Sequence, residues 1–171
     1  QTCALPICCT SAQFPLWWFA APAILKGWLD RVLVYGPMYN SRQRHEHGVM
    51  QGKRALLSVT TGSSARACAV DGREGDTRLL LWPLMYSLRY VGFEVMEPCV
   101  VHGVRSGLAA ERVQAHDEAL VAATLSYRER LTHWRQWPIV PFNDSDDFED
   151  GVVLRADATA HSPFIRHRDA G

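Results

Sequence analysis

The fold class this sequence predicts is α/β, a doubly wound parallel sheet, and three observations predict it. Short apolar or alternating runs take turns with stretches whose apolar residues recur at helical spacing. Their order, strand, loop, helix, strand, loop, helix, strand, helix, is the order of strands joined by crossover helices. The loops after the first two strands are rich in aromatic and in small hydroxyl residues, as befits the carboxyl end of such a sheet, where ligands bind.

The elements follow in chain order. A strand runs from about Thr10 and ends at Phe14, and Pro15 breaks it. Trp18 and Phe19 fall in the turn that follows, where a core element would not put them, so the turn asks for a ligand. Pro22 suits a first helical position, which needs no amide hydrogen. After it Ile24, Leu25, Trp28, Leu29, Val32 and Leu33 make one apolar helix face. Residues 35–48 form a polar loop long enough to serve as a lid. Its His45 and His47 lack a third ligand for a metal, so a solvated loop is expected and no metal site. Arg54 to Val59 reads as a buried strand, and Thr60, Thr61, Gly62, Ser63 and Ser64 follow it at once. Small residues in that place let backbone amides and hydroxyls approach a ligand closely.

Asp71-Gly72 and Gly75-Asp76 punctuate a loop, after which Thr77 to Tyr90 is an apolar helix kinked or restarted at Pro83. Gly92 to Val101 alternates into a third strand, interrupted at Pro98. Between Glu111 and Trp134 the positions Val113, Leu120, Thr124, Tyr127, Leu131 and Trp134 recur about every 3.5 residues, an amphipathic closing helix whose stripe should be core. From Gln136 the pattern dissolves. Pro138, Pro141, Pro163 and the acidic run Asp144 to Asp150 describe an extended tail with little regular structure. Its acidic run is expected to be solvated surface rather than a calcium site. Trp137, Phe142, Phe148 and Phe164 imply that the tail packs on its own domain or on a second subunit.

Composition narrows the class further. The 171 residues, 47% of them hydrophobic, suffice for one domain with a sizeable core. Eighteen basic and 18 acidic side chains cancel, so no broad field attracts nucleic acid. No apolar run reaches the length of a membrane span and no signal peptide is visible, so a cytoplasmic protein is expected. Five cysteines without paired spacing read as idle thiols in a reducing compartment. Gln1 to Ile7 carries no pattern and matches a translated sequencing-library adapter, so it is read as a scar outside the fold. The division expected is 1–9 as that start, 10–135 as the sheet domain and 136–171 as the tail.

Gln13 to Phe19 with Pro22 to Val32, then Leu57 to Gly62, Gly75 to Pro83 and Gly92 to Pro98 together resemble the flavodoxin-like NAD(P)H:quinone oxidoreductases, the DT-diaphorase group. The likeness runs in one register from about Gln13 to Arg112. It implies a homodimeric, FAD-dependent enzyme, with FMN as the alternative cofactor, that takes hydride from NAD(P)H and passes two electrons to a quinone. By motif position, Pro15, Leu16, Trp17, Trp18 and Phe19 would line the flavin. Thr60, Thr61, Gly62 and Ser63 would meet its ring and ribityl chain from the other side, and Arg112 would lie near the adenosine. Tyr39 matches a substrate-pocket tyrosine, and Tyr90 a pocket aromatic supplied by the partner subunit.

Two departures accompany the resemblance. Where mammalian relatives carry a tyrosine and a histidine for proton handling, this chain has Cys68 and Glu74. Glu74 can act as an acid or base, whereas a thiol cannot reproduce a phenol's hydrogen bond. The sheet also reads as incomplete, three strands where the family needs about five, as though the first two strand-helix units and their phosphate loop were missing. Such a chain is expected to bind flavin poorly. Two other readings remain open, an ancillary flavoprotein of a potassium-efflux transporter and a truncated product without function.

Overall fold

The structure is a computed structural model that describes residues 9–162 and 164–168. The heptapeptide Gln1–Ile7 and Pro163 lie outside the described residues. Strand β1 (Cys9–Pro15) pairs in parallel with β2 (Arg54–Thr60), from Cys9 opposite Arg54 to Pro15 opposite Thr60. The far side of β2 pairs in parallel with β3 (Glu94–Val95) and then with β4 (Cys99–Val101). These two are one strand interrupted just before Pro98, which has no amide for a ladder. At the interruption Met96 still donates its N–H to Ala55 of β2 at 2.8 Å and also bridges Ile139. The parallel α/β architecture read from the sequence is therefore present.

Helix α1 (Ala23–Val32) joins β1 to β2, and α2 (Thr77–Tyr90) joins β2 to β3. Both crossovers step the same way across the sheet, so a right-handed connection puts both helices on one face. The packing agrees: Ala55, Leu57 and Val59 of β2 meet Leu81, Trp82 and Met85 of α2, with Leu25 and Leu33 at the margin. Leu56 points the opposite way, to Met96 and Trp137, and Tyr127 of α3 (Ala110–Thr132) lies beside them. Ala55 to Val59 are buried without a break, the mark of a strand covered on both faces.

Several expectations need correction. Pro22 is the residue that caps α1, one position before the helix begins. The apolar face of α1 divides: Leu29 is buried and Leu25, Val32 and Leu33 are half-buried, whereas Ile24 and Trp28 face solvent. Helix α2 does not restart at Pro83 but continues through it. Helix α3 has no buried residue at all, so its stripe is not core. Leu120, Tyr127 and Trp134 are half-buried, but Val113, Thr124 and Leu131 are exposed. The sheet offers little apolar surface on that side, and the helix is held by Tyr127 edge-on to Trp137, by Arg130 over the same indole at 3.9 Å and by His116, whose Nε2 accepts the Arg105 N–H at 3.3 Å.

The tail is more ordered than its proline content suggests, and it packs on its own domain. Trp137 and Val140 are buried, and the Trp137 indole Nε1 donates to the Glu97 carbonyl at 2.8 Å. Phe142 and Phe164 lie on Trp82 of α2. Within the acidic run, Asp144 and Asp147 close a reciprocal cap on a one-turn 3-10 helix (Ser145–Asp147), and β5 (Phe148–Glu149) pairs with β6 (Val153–Leu154) as a hairpin. Asp144 also pairs with Arg89, so that end of the run is not simply solvated. The 35–48 loop is pinned as well. A side chain on Gly48 or Gly92 would drive into the other's backbone, which lets the loop press directly on the end of α2.

Candidate functional site

The strand register fixes where the site must be. Pro15, Thr60 and Val101 stand side by side at the carboxyl edge of the sheet, so the loops that leave β1, β2 and β4 start from one line. Each loop is then tied to its neighbour. Leu16 N–H donates to the Thr60 carbonyl at 2.8 Å, Thr61 N–H to Val101 at 3.0 Å and Gly103 N–H to Ser63 at 3.0 Å.

The turn after β1 is strained. Trp17 and Ala20 exchange both backbone hydrogen bonds, at 2.9 and 3.0 Å, and between them Trp18 and Phe19 have φ of 50° and 61°. Two successive positive values make a type I′ turn, which ordinarily takes Asn-Gly. Two aromatics in that conformation cost about 1–3 kcal/mol each. The ring of Trp18 gains no burial in return, being 93% exposed. With Trp17 and Ala20 bonded to each other, the Trp18 and Phe19 amides donate to no described residue.

Opposite this turn stand Thr61, Gly62 and Ser63. Thr61 is buried, and its hydroxyl accepts the Ser63 N–H at 3.3 Å, which holds the turn. Among the amides of Thr61 to Ser63, that of Gly62 is left without an acceptor in the described residues. Leu16, Trp18, Phe19, Thr61, Gly62, Ser63, Cys68, Glu74 and Leu80 together line a cavity of about 230 Å³. The 64–76 loop delivers its last members: Glu74 N–H donates to Ala67, and Cys68 N–H to Ser64. Cys68 is buried and Glu74 half-buried, and no ion pair ties Glu74 to Arg73 or any other described cation.

Most of the expected ring-binding residues are thus brought together. Pro15 and Thr60 flank the cavity at the strand ends, and Trp17 closes the turn. Arg112 is not brought in; it lies exposed in the first turn of α3. Tyr39 and Tyr90 form a separate cluster, rings edge-on at 5.4 Å. Tyr35 joins from one side at 5.7 Å and His45 from the other, 4.8 Å from Tyr90. His45 was expected to be solvated. It is half-buried between Tyr86 and Tyr90, with φ 51°, and burial together with the nearby Arg89 charge holds its pKa below 6.5. Among the described residues no cluster of three His, Cys, Asp or Glu could hold a metal. Arg105 went unnoticed in the sequence. Its Nε donates to the Gly62 carbonyl at 2.5 Å, and its place four residues beyond β4, at the sheet's carboxyl edge, was the available signal.

A parallel sheet with this pair of turns at its carboxyl edge defines a class, the α/β proteins of flavodoxin-like fold. A family model described as "Flavodoxin-like fold" matches residues 12–124. The chain is 38% identical over 148 residues to NAD(P)H dehydrogenase (quinone) 1 of Rattus norvegicus, covering 84% of this chain and 51% of that one. It is 43% identical over 129 residues to ribosyldihydronicotinamide dehydrogenase (quinone) of Homo sapiens, covering 74% and 52%. A putative quinone reductase from Klebsiella pneumoniae superposes with a TM-score of 0.67 at 35% identity, over 86% of this chain and 56% of that one. The chain belongs to the flavodoxin-like NAD(P)H:quinone oxidoreductase family. It spans about half the length of the curated relatives it matches.

Proposed function

We propose that this chain provides the ring-binding part of an FAD-dependent NAD(P)H:quinone oxidoreductase that works as a homodimer. The observation that carries the reading is the strained Trp18-Phe19 turn, whose amides, like that of Gly62, have no acceptor among the described residues, while all three residues line one cavity. Backbone strain of this size persists where a site uses the conformation. Uncommitted amides at the end of a parallel sheet suit the polar edge of a planar heterocycle. When bound, the flavin supplies the chemistry, taking hydride from NAD(P)H and giving two electrons to a quinone.

In this reading the Trp18 and Phe19 amides hold the ring while Pro15, Leu16, Trp17 and the two aromatic side chains keep water off it. The Gly62 amide, with Thr60, Thr61 and Ser63 around it, stabilises negative charge at the N1/O2 edge. Glu74, on the cavity wall, serves as the acid-base group toward the quinone oxygen. Cys68 beside it fills space. Arg112 reaches the adenosine of FAD. Tyr39 and Tyr90, whose rings touch, act as one wall of a substrate pocket completed by the partner subunit. Trp17, Trp18, Ile24, Trp28 and Tyr35 are large apolar side chains left exposed, which a partner subunit would cover.

The test is to purify the protein expressed from its gene and record its visible spectrum, then add NADPH without oxygen and follow with menadione. Bound flavin that bleaches with NADPH and recovers with the quinone supports the reading, and FAD rather than FMN should be released on denaturation. A colourless protein that takes up no added flavin would overturn it.

A further inference from the structure

A second, larger cavity of about 1030 Å³ lies between the 41–47 loop, Tyr86 of α2 and the tail from Asn143 to Arg168. Its walls carry Arg42 and Arg44 on the loop side and Arg166 and Arg168 on the tail side. None of the four makes an ion pair among the described residues. Three carboxylates also line it, Glu46, Asp144 and Glu149, but two are already engaged: Arg89 pairs with both Glu46 and Asp144, and the Ser145 hydroxyl bonds Glu46. Arg89 offsets one of that pair, so two carboxylate charges face four guanidinium groups that make no ion pair among the described residues. In a chain whose charges cancel overall, this is a local excess of positive charge facing an empty volume.

The cavity adjoins the aromatic cluster. His45 and Tyr86 belong to both, and ring contacts run from Tyr86 through His45 and Tyr90 to Tyr39. A ligand whose aromatic end met Tyr39 and Tyr90 would extend its anionic end past His45 toward the arginines. Guanidinium forks suit a phosphate dianion, which offers paired oxygens and two charges. The volume is that of a small-molecule site.

We propose that this cavity is a phosphomonoester pocket in which Arg42, Arg44 and Arg166 bind the 2′-phosphate of the nicotinamide donor and select NADPH over NADH. The proposal rests on the donor reading above and deepens it. The two donors differ only in that phosphate, so charge in this pocket discriminates between them and the redox end of the molecule does not.

The experiment is calorimetric titration with adenosine 2′,5′-bisphosphate, 5′-AMP and inorganic phosphate, joined to steady-state kinetics with both donors. The bisphosphate should bind at least tenfold tighter than 5′-AMP and than inorganic phosphate. The double variant Arg44→Ser/Arg166→Ser should lose that advantage and lower the ratio of kcat/KM for NADPH over NADH at least tenfold. Glu149→Gln, which removes the opposing charge, should raise the ratio severalfold and serves as a control for folding. Equal binding of bisphosphate and 5′-AMP, or a donor ratio unmoved in both variants, overturns the proposal. Inorganic phosphate binding as tightly as the bisphosphate also overturns it, in favour of a free-phosphate site. Failure of the underlying flavin reading looks different: no donor is oxidised, while the titrations still report on the pocket.

Discussion

The rings of Tyr39 and Tyr90 meet edge-on within one chain, 5.4 Å between centroids. If Tyr90 serves the partner's substrate pocket, Tyr39 must serve the same pocket. Heterodimers separate the possibilities. Tyr39→Ala and Tyr90→Ala on one subunit should leave about half the quinone reductase activity, because one of two sites survives. The same changes split between subunits should leave almost none. A double-mutant cycle on stability should give a coupling of about 0.5–1.5 kcal/mol for an edge-to-face pair.

Strain in the aromatic turn predicts a trade. Trp18 is almost fully exposed and has φ 50°, so Trp18→Gly removes strain and loses no packing. Denaturant unfolding of the flavin-free protein should show stability unchanged or higher by up to about 1 kcal/mol. Flavin titration should show weaker binding. A variant clearly less stable than the parent would mean that the Trp18 ring packs on something in solution.

Trp137 anchors the tail by filling the smaller core and by donating to the Glu97 carbonyl. Trp137→Ala should cost about 3–5 kcal/mol. Limited proteolysis should then cut beyond residue 136 much faster than in the parent. An unchanged cleavage rate would show the tail to be held by Phe142 and Phe164 instead.

Acid should loosen the same region. Burial, with the Arg89 charge second, lowers the pKa of His45 from its ordinary 6.5. For Glu46 burial pushes upward, but the Ser145 hydroxyl, the backbone amides of Glu46 and Ser145 and the Arg89 charge together outweigh it and hold the carboxyl below its ordinary 4.5. Both folded values lie under the unfolded ones, so both contributions are complete above the unfolded values and are lost as pH falls through the folded ones. Thermal melts should therefore decline first below about pH 6.5, where His45 binds a proton in the unfolded chain before it does in the folded one, then again below about pH 4.5 with Glu46. His45→Phe should remove the first decline and leave the second. Melts that do not change between pH 7 and 5 in the parent would contradict this account.

Much of the fold was legible because its cause is local. Five consecutive buried residues in β2, the break near Pro98 and the turn at Trp18 and Phe19 all depend on neighbours in sequence. What misled was partnership. The spacing in α3 is that of an amphipathic helix, but spacing cannot say how much apolar sheet waits opposite, and here there is little beyond Leu56 and Met96. Proline in the tail signalled irregularity correctly at Pro138 and Pro141, yet the caps and hairpin that follow arise from Asp144, Asp147 and the turn at Asp150 and Gly151. In the candidate site the small residues after β2 were visible in order. The contacts of Arg105 with Gly62 and of His45 with Tyr90 join residues over 40 apart, and no local pattern encodes them.

The central claim is that the aromatic turn and the Thr61 to Ser63 turn form one flavin seat. Flavin fluorescence titrated with the protein expressed from its gene, as parent, and with its Gly62→Pro variant, which removes that amide, tests it most directly. Saturable quenching by the parent that weakens at least tenfold in Gly62→Pro, with circular dichroism unchanged, is the result predicted. Equal quenching by both proteins, or none by the parent, would contradict it.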